Sequence, residues 1–135
     1  MKANELMVGN IVRYDGMTVY IGQVNKTKIE GLIDKNDLLI DIRFRVELLE
    51  PISITEELLL KNGFTKKECY CQRHYWREID GYYIEAQFGA CAVGRKCYVT
   101  IQEPYGDMVA SVDLNHLHQL QNLCNIAGVE MEWKV

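Results

Sequence analysis

Cysteine and histidine residues in the middle of the chain are the first candidates for chemistry. Cys69, Cys71 and His74 lie close together, and Cys91 and Cys97 follow downstream. Thiolate and imidazole groups are ligands that Zn²⁺ prefers, but the spacing lacks the C-x2–4-C knuckle of structural zinc sites. On continuous strands Cys69 and Cys71 point away from His74, while Cys91 and Cys97 fall on opposite faces. We therefore expect small apolar cysteines, with no metal and no Cys91–Cys97 disulfide.

The other polar residues form no catalytic pattern. A Cys–His nucleophile pair needs a cationic pocket, which only Arg73 and His74 near Cys71 could offer, and no third group orients such a pair. His116 and His118 are two apart on a predicted helix, about 200° around its axis. They cannot bind one ion together, and we expect them on the surface. The glycines match no phosphate-binding fingerprint. The sequence therefore predicts no enzyme and no cofactor.

The run RHYWR at residues 73–77 and the strands that follow it are the strongest candidate for a binding surface. Alternation places one histidine and three aromatic residues on one face of a predicted sheet, among glutamates and glutamines. Such a face can stack a base or contact a protein. The alternative is that the N-terminal half or a helix covers this face, because a short chain must bury most large aromatics. Two arginines are expected on the inward face, at its edges. The predicted partner-binding residues are His74, Trp76, Tyr83, Tyr98, Arg73 and Arg77.

The composition excludes several classes of protein. The chain has 135 residues, with 15 Lys and Arg against 19 Asp and Glu, so its formal charge is −4. An acidic chain is poorly suited to coat nucleic acid or an anionic membrane, since both need a basic field. No apolar run is long enough to cross a bilayer, the first residues do not resemble a secretion signal, and five cysteines favour a reducing compartment. We expect a cytoplasmic protein that binds no membrane.

The N-terminal half, residues 1–50, is predicted to form a small β-barrel. Asp15-Gly16 supplies the positive φ angles of a two-residue hairpin turn, which pairs Tyr14 with Met17. Alternation from that turn places Val8 on the same apolar face as Tyr14 and Met17. Three further strands are predicted, over residues 28–33, 38–42 and 44–49. Five short strands in about fifty residues favour a curled, SH3-like barrel.

Residues 51–135 are predicted to form an α+β half that packs with the first half as one unit. Pro51 marks the boundary, because proline cannot continue a sheet ladder. Thr55 is a good N-cap for a short helix, and Gly63 is expected to end that helix.

An antiparallel meander of four strands follows the short helix. Asp80-Gly81 and Gly94-Arg95 are its predicted hairpin turns. Asp113 is expected to cap a helix over residues 114–127, whose leucine stripe packs on the apolar face of the meander. Alternation predicts a final edge strand at residues 129–133. The predicted fold class is therefore α+β.

Three segments of the chain match the opening, middle and C-terminal signatures of one protein family. They are MKANEL followed by VGNIV at residues 8–12, LEPISITEELLLKNGF at residues 49–64 and HLHQLQNL at residues 116–123. These segments resemble a family of small proteins from phages and prophages of Bacteroides-type gut bacteria. The resemblance implies a mobile-element context and a bacterial cytoplasm, and it implies no catalytic residue.

These observations predict a non-enzymatic phage or prophage accessory protein that acts on a host protein or sequesters a small signalling ligand. A nucleotide- or nucleic-acid-binding protein that uses the same aromatic face is the alternative, although the acidic charge disfavours nucleic acid. A zinc-binding domain ranks behind both. Self-association as a homo-oligomer stays open at this point.

Overall fold

A computed structural model describes residues 1–25, 28–35, 38–69, 72–89 and 97–135 of the chain. The predicted α+β class is confirmed, since the described residues form two antiparallel sheets and two α-helices. The chain divides into two compact units. One comprises Met1–Ser53 with His116–Asn122, and the other comprises Ile54–Asn115 with Leu123–Val135. None of the described helices has the length and apolar character needed to cross a membrane.

A four-stranded antiparallel meander forms the sheet of the first unit. Its strands, in spatial order, are β1 (Ile11–Tyr14), β2 (Met17–Val24), β3 (Lys28–Lys35) and β4 (Leu38–Arg45). The predicted hairpin is confirmed, because Tyr14 pairs with Met17 across Asp15 and Gly16, whose φ angles are 47° and 77°. These angles are the left-handed conformation that a tight hairpin turn requires.

One face of this sheet carries the core of the first unit. The core residues are apolar and comprise Leu6, Val12, Val19, Ile21, Ile29, Ile33, Phe44 and Leu49. Val8 does not join them, because its side chain is 62% exposed, so its predicted place on the apolar face was wrong. The predicted strands at residues 38–42 and 44–49 are one strand, β4, followed by a 3-10 turn (Val46–Leu48). No turn residue separates Ile42 from Phe44, so the ladder to β3 continues through them.

The predicted SH3-like barrel over residues 1–50 is not confirmed. Strands β1 and β4 stand at the two ends of the sheet order, so the described strands do not close on themselves. After the 3-10 turn the chain returns to β1, where Arg13 and Glu50 exchange two backbone hydrogen bonds of 2.8 Å each. Pro51 follows at once and has no N–H group with which to extend this bridge.

The second unit begins with a short helix, α1 (Glu56–Lys61), whose predicted limits are confirmed. The Thr55 hydroxyl accepts a hydrogen bond from the Leu58 N–H at 3.1 Å, which satisfies one of the unpaired donors at the helix start. Gly63 ends the helix with a φ of 78°, and the Phe64 N–H donates back to the Leu59 carbonyl at 3.0 Å.

A five-stranded antiparallel meander follows α1. Its strands are β5 (Thr65–Cys69), β6 (Gln72–Ile79), β7 (Tyr82–Phe88), β8 (Cys97–Gln102) and β9 (Met108–Leu114). The turn at Asp80 and Gly81 is confirmed by φ angles of 49° and 82°. The predicted turn at Gly94-Arg95 lies outside the described residues. The meander has one strand more than predicted, because β5 is a polar edge strand without the apolar alternation that reveals a strand in sequence.

The second helix, α2 (Leu117–Ala127), starts later than predicted. Asp113 belongs to β9, so its predicted role as the helix cap was wrong, and the His116 N–H instead donates to Gln119 Oε1 at 3.0 Å. Gly128 ends the helix as predicted, with a φ of 84°. No strand forms over residues 129–135, so the predicted final edge strand was also wrong. Asn62 holds this tail, because its side chain exchanges hydrogen bonds of 2.8 and 2.7 Å with the Lys134 backbone.

Candidate functional site

The polar face of the second sheet carries four of the predicted binding residues. Strand register pairs Trp76 with Glu85, and it pairs His74 with Gln87, which in turn pairs with Tyr98. Directly opposed residues share a face, and residues two apart on a strand share it too. We call this surface the aromatic sheet face and define it by His74, Trp76, Tyr83, Glu85, Gln87 and Tyr98.

Trp76 and Tyr83 form the centre of the aromatic sheet face. Their rings are stacked, with centroids 5.6 Å apart and planes inclined by 21°. They meet diagonally, because Tyr83 lies two residues before Glu85, the direct partner of Trp76. Both side chains are half-buried. Burial raises the pKa of the Tyr83 phenol, and the Glu85 carboxylate raises it further. The phenol therefore stays protonated and can donate a hydrogen bond at the surface.

His74 lies beside this stack and is held at both ring nitrogens. Its Nδ1 is 2.5 Å from Glu85 Oε1, and its Nε2 is 2.7 Å from Gln87 Nε2. Because the Gln87 amide nitrogen can only donate, His74 Nε2 accepts, and Nδ1 carries the proton that it donates to Glu85. The imidazole is thus fixed in one tautomer and orientation. His74 is therefore a positioned polar group of the aromatic sheet face.

Tyr98 is the most open aromatic residue of the aromatic sheet face, with 42% of its side chain exposed. Its hydroxyl makes a hydrogen bond with the Ser111 hydroxyl on the neighbouring strand. Charged residues on the same face are mostly acidic. Glu78 pairs with Tyr83, Asp113 pairs with Tyr98, and Lys67 pairs with His74. With Glu85 these residues make three carboxylates against one ammonium group, so the net charge of this face is negative.

The other two predicted residues, Arg73 and Arg77, lie on the opposite face of β6, as alternation predicts. Arg73 pairs with Phe88, and its Nη1 donates to Glu56 Oε1 at 2.7 Å. Arg77 Nη1 donates to the Asn62 carbonyl at the end of α1. The hydrogen bond from Arg73 holds the pKa of the Glu56 carboxyl below its usual range. The two arginines therefore anchor α1 and are not part of the aromatic sheet face.

Sequence reasoning missed His118, a second unusual histidine. Its side chain is 2% exposed, so the prediction of a surface position was wrong. Neither ring nitrogen has a hydrogen-bond partner among the described residues, and the ring is stacked on His116 with centroids 5.7 Å apart. Burial lowers the pKa of His118, and His116 lowers it further. The leucine stripe of α2 did not predict the burial of His118, because His118 is offset from Leu117 by about 100° around the helix.

Two amide side chains of the HLHQLQNL segment, both on α2, make hydrogen bonds to the start of the first unit. Gln121 Oε1 accepts from the Ile11 N–H at 2.9 Å, and Gln121 Nε2 donates to the Gly9 carbonyl at 3.2 Å. Asn122 Oδ1 accepts from Asn10 Nδ2 at 2.8 Å. These polar residues bind the backbone and side chains at the start of the first unit. Their role is therefore structural.

The zinc hypothesis falls largely outside the described residues, since the side chains of Cys69, Cys71 and Cys91 are not among them. In the part of the chain that the structure describes, no three His, Cys, Asp or Glu residues are grouped so that they could hold a metal ion. Cys97 and Cys124 are buried free thiols, and burial raises the pKa of each to about 12. Thiols with such pKa values are poor nucleophiles at neutral pH.

Comparison with protein-family models, curated proteins and solved structures found no match for the chain. The resemblance to phage and prophage proteins therefore stays a prediction, and the function is argued from the residues of the site.

Proposed function

We propose that the chain is a non-catalytic binding module whose aromatic sheet face docks onto a protein partner. The observation that carries this proposal is the Trp76–Tyr83 stack, half-buried and surrounded by polar groups. Large aromatic side chains within a polar rim are the composition of protein-binding hot spots. Both rings are held by a sheet, so little side-chain freedom is lost when a partner covers them.

The chemistry of the neighbouring groups supports binding over catalysis. His74 is engaged at both nitrogens by Glu85 and Gln87, which fixes it as a rigid polar contact. The Cys97 thiol is buried and protonated, so it is no activated nucleophile.

The charge of the aromatic sheet face favours a protein partner over nucleic acid. Glu78, Glu85 and Asp113 outnumber Lys67 there, and a polyanion would meet repulsion. The basic residues Arg73 and Arg77 are turned to the opposite face, where they bind α1. A basic or neutral protein surface is therefore the better complement.

Two finer points belong to the same proposal. The partner is a host protein in a bacterial cytoplasm, as the resemblance to phage and prophage accessory proteins implies. The first unit is an SH3-like small barrel, in which the segment at Glu50 acts as the closing strand. The return of the chain to Arg13 after the 3-10 turn supports this arrangement.

The test compares Trp76→Ala with Tyr105→Ala. Tyr105 is 97% exposed and lies in the connection between β8 and β9, so it is an aromatic control outside the aromatic sheet face. Immobilised wild-type protein and both variants are exposed to a bacterial lysate, and retained proteins are quantified by mass spectrometry. We expect Trp76→Ala to retain one set of proteins in amounts at least about tenfold lower than wild type does. The reason is that hot-spot truncations cost about 2 kcal/mol or more of binding free energy. Tyr105→Ala should retain the same set.

Stability must be measured beside binding, because Trp76 is half-buried. Loss of the indole and of its stack on Tyr83 should cost about 1–2 kcal/mol, which is less than the cost of removing a fully buried tryptophan. Circular dichroism should therefore show a folded Trp76→Ala variant with a lower Tm. Equal retention by both variants would refute the proposal, provided that both are folded.

A planar small ligand is the second candidate, since an aromatic stack can also hold a base. The chain has two tryptophans, so Trp133→Phe leaves Trp76 as the only indole. Titration of this variant with ATP, GTP and NAD should leave its fluorescence unchanged if the partner is a protein. Saturable quenching by one of them, lost in Tyr83→Ala, would favour sequestration of a nucleotide instead.

A further inference from the structure

Strand β4 presents an exposed apolar edge. It stands at one end of the first sheet, and among the described residues β3 is the only strand that pairs with it. Its side chains are unusually open for apolar residues, with Leu39 63%, Ile40 40% and Ile42 36% exposed. Proteins usually protect such edges with charged side chains, proline or a bulge, and an edge without such protection is a template for another strand. The run from Leu39 to Phe44 has no lysine and no proline, and its two charged residues are of opposite sign.

We propose that β4 pairs with β4 of a second copy of this chain, antiparallel and about a two-fold axis at Ile42. An axis perpendicular to the sheet keeps the two faces of each copy aligned. Residues of one face must then oppose residues of the same face, so only axes that pass through a residue position are allowed. Along β4, Ile40, Ile42 and Phe44 share one face, and Leu39, Asp41 and Arg43 share the other.

Charge selects the axis among the allowed positions. An axis at Asp41 would place two carboxylates directly opposite each other, and an axis at Arg43 would oppose two guanidinium groups. Like charges in directly opposed positions destabilise a sheet. An axis at Ile42 opposes Asp41 to Arg43 of the second copy, and the symmetry repeats this opposite-charge pair. The strand is therefore complementary to itself in one central register.

The apolar face agrees with the same register. Ile42 opposes its own counterpart, and Ile40 opposes Phe44 of the second copy. Within one copy, Ile40 pairs with Ile33, Ile42 with Gly31, and Phe44 with Ile29. The second copy therefore extends the core-bearing face of the first sheet and covers the exposed Ile40 and Ile42 side chains. The two four-stranded sheets become one continuous sheet of eight strands.

The other apolar edge of the molecule lacks this self-complementarity. β9 is an edge of the second sheet and exposes Met108 and Val112 by 61% and 37%. Its only charged residue is Asp113, so no symmetric register of β9 forms an opposite-charge pair. The observations therefore favour β4.

The test uses two charge-reversal variants. Each should dimerise poorly by itself, and a mixture of the two should dimerise again. Asp41→Arg opposes arginine to Arg43 in its own dimer, and Arg43→Asp opposes aspartate to Asp41. A mixture of the two variants restores both opposite-charge pairs in the heterodimer. Asp107→Arg is the matched control, because it makes the same change of charge at an exposed position in the β8–β9 connection.

Light scattering after size exclusion gives the mass at protein concentrations of about 100 µM, which suits an interface of modest area. We expect wild type and Asp107→Arg to have twice the monomer mass of 15.6 kDa. Each reversal should weaken the dimer at least about tenfold, since two symmetric pairs change sign. The equimolar mixture should recover the dimer.

Arg43 also pairs with Glu30 at 2.8 Å within one copy, so thermal unfolding must accompany the mass. If Arg43→Asp does not fold, Ile42→Asp replaces it as the second variant, because it opposes two carboxylates at the axis. A monomeric wild type would overturn the proposal. A dimer that Asp41→Arg leaves intact would also overturn it, since its interface would lie elsewhere.

Discussion

Replacement of His118 with phenylalanine is expected to stabilise the protein and to reduce its sensitivity to acid. The imidazole is 2% exposed, and neither of its nitrogens has a hydrogen-bond partner in the part of the chain that the structure describes. A buried polar group without a partner costs about 1–3 kcal/mol, so the apolar ring should raise the free energy of unfolding by about 1 kcal/mol at neutral pH. Phenylalanine keeps a planar ring of similar size that can still stack on His116.

The pH dependence follows from the lowered pKa of His118. Its causes are burial first and then His116, with a smaller opposing contribution from Glu5 and a further lowering by the N-terminal amino group. Below the ordinary pKa of 6.5 the unfolded chain binds a proton that the folded chain resists. The free energy of unfolding is therefore unaffected by this titration well above pH 6.5, and it declines as the pH falls towards the pKa of the folded state. The decline is at most about 1.4 kcal/mol for each pH unit.

Urea unfolding followed by circular dichroism, from about pH 7.5 to about pH 5.5, covers the range in which histidine titrates. The difference between His118→Phe and wild type should grow from about 1 kcal/mol to at most about 2.4 kcal/mol across this range. His116→Gln is the matched control. It should keep most of the acid sensitivity, because burial is the larger cause of the shift at His118. His118→Leu serves as a second apolar variant if the phenylalanine ring does not fit.

A constant difference between His118→Phe and wild type would refute this reasoning. It would mean that the folded protein binds a proton at His118 as readily as the unfolded chain does. The same conclusion would follow if His116→Gln, and not His118→Phe, removed the pH dependence.

Two further predictions concern the glycines and the cysteines. Gly31→Ala should lower the free energy of unfolding by about 1–3 kcal/mol, because the new Cβ would lie 2.8 Å from the Tyr20 carbonyl oxygen. Gly22→Ala is its control in the neighbouring strand and should be near neutral, since the nearest atom is 3.7 Å away; equal losses in urea unfolding would contradict the steric argument. Cys97 and Cys124, whose pKa values are raised to about 12, should resist iodoacetamide at about pH 8 in the folded protein and react in urea. Peptide mapping measures this, and rapid labelling of the folded chain would show that the thiols are accessible.

Much of the fold could be predicted where a few adjacent residues decide the structure. The turns at Asp15-Gly16 and Asp80-Gly81, the cap at Thr55 and the helix end at Gly128 were all correct. In each case the backbone conformation depends on side chains within about four residues of it. Alternation from such turns then predicted the faces of β6 to β8 correctly.

Predictions failed where distant segments decide the structure. Thr65–Cys69 is a strand because it pairs with β6, although its own residues are polar. Residues 129–133 alternate as a strand would, yet they form none. Edge strands depend on a neighbour for their hydrogen bonds, so their local sequence carries little information.

The candidate site could likewise be predicted only in part. Sequence alone determined that Trp76, Tyr83, Tyr98 and His74 share one face, because alternation along a strand is a property of the backbone itself. Only tertiary structure decided that Trp76 stacks on Tyr83 and that His74 is held by Glu85 and Gln87. It also decided that His118 is buried without a hydrogen bond to any residue that the structure describes. Contacts and burial depend on which segments meet across long stretches of chain, and no local pattern specifies that meeting.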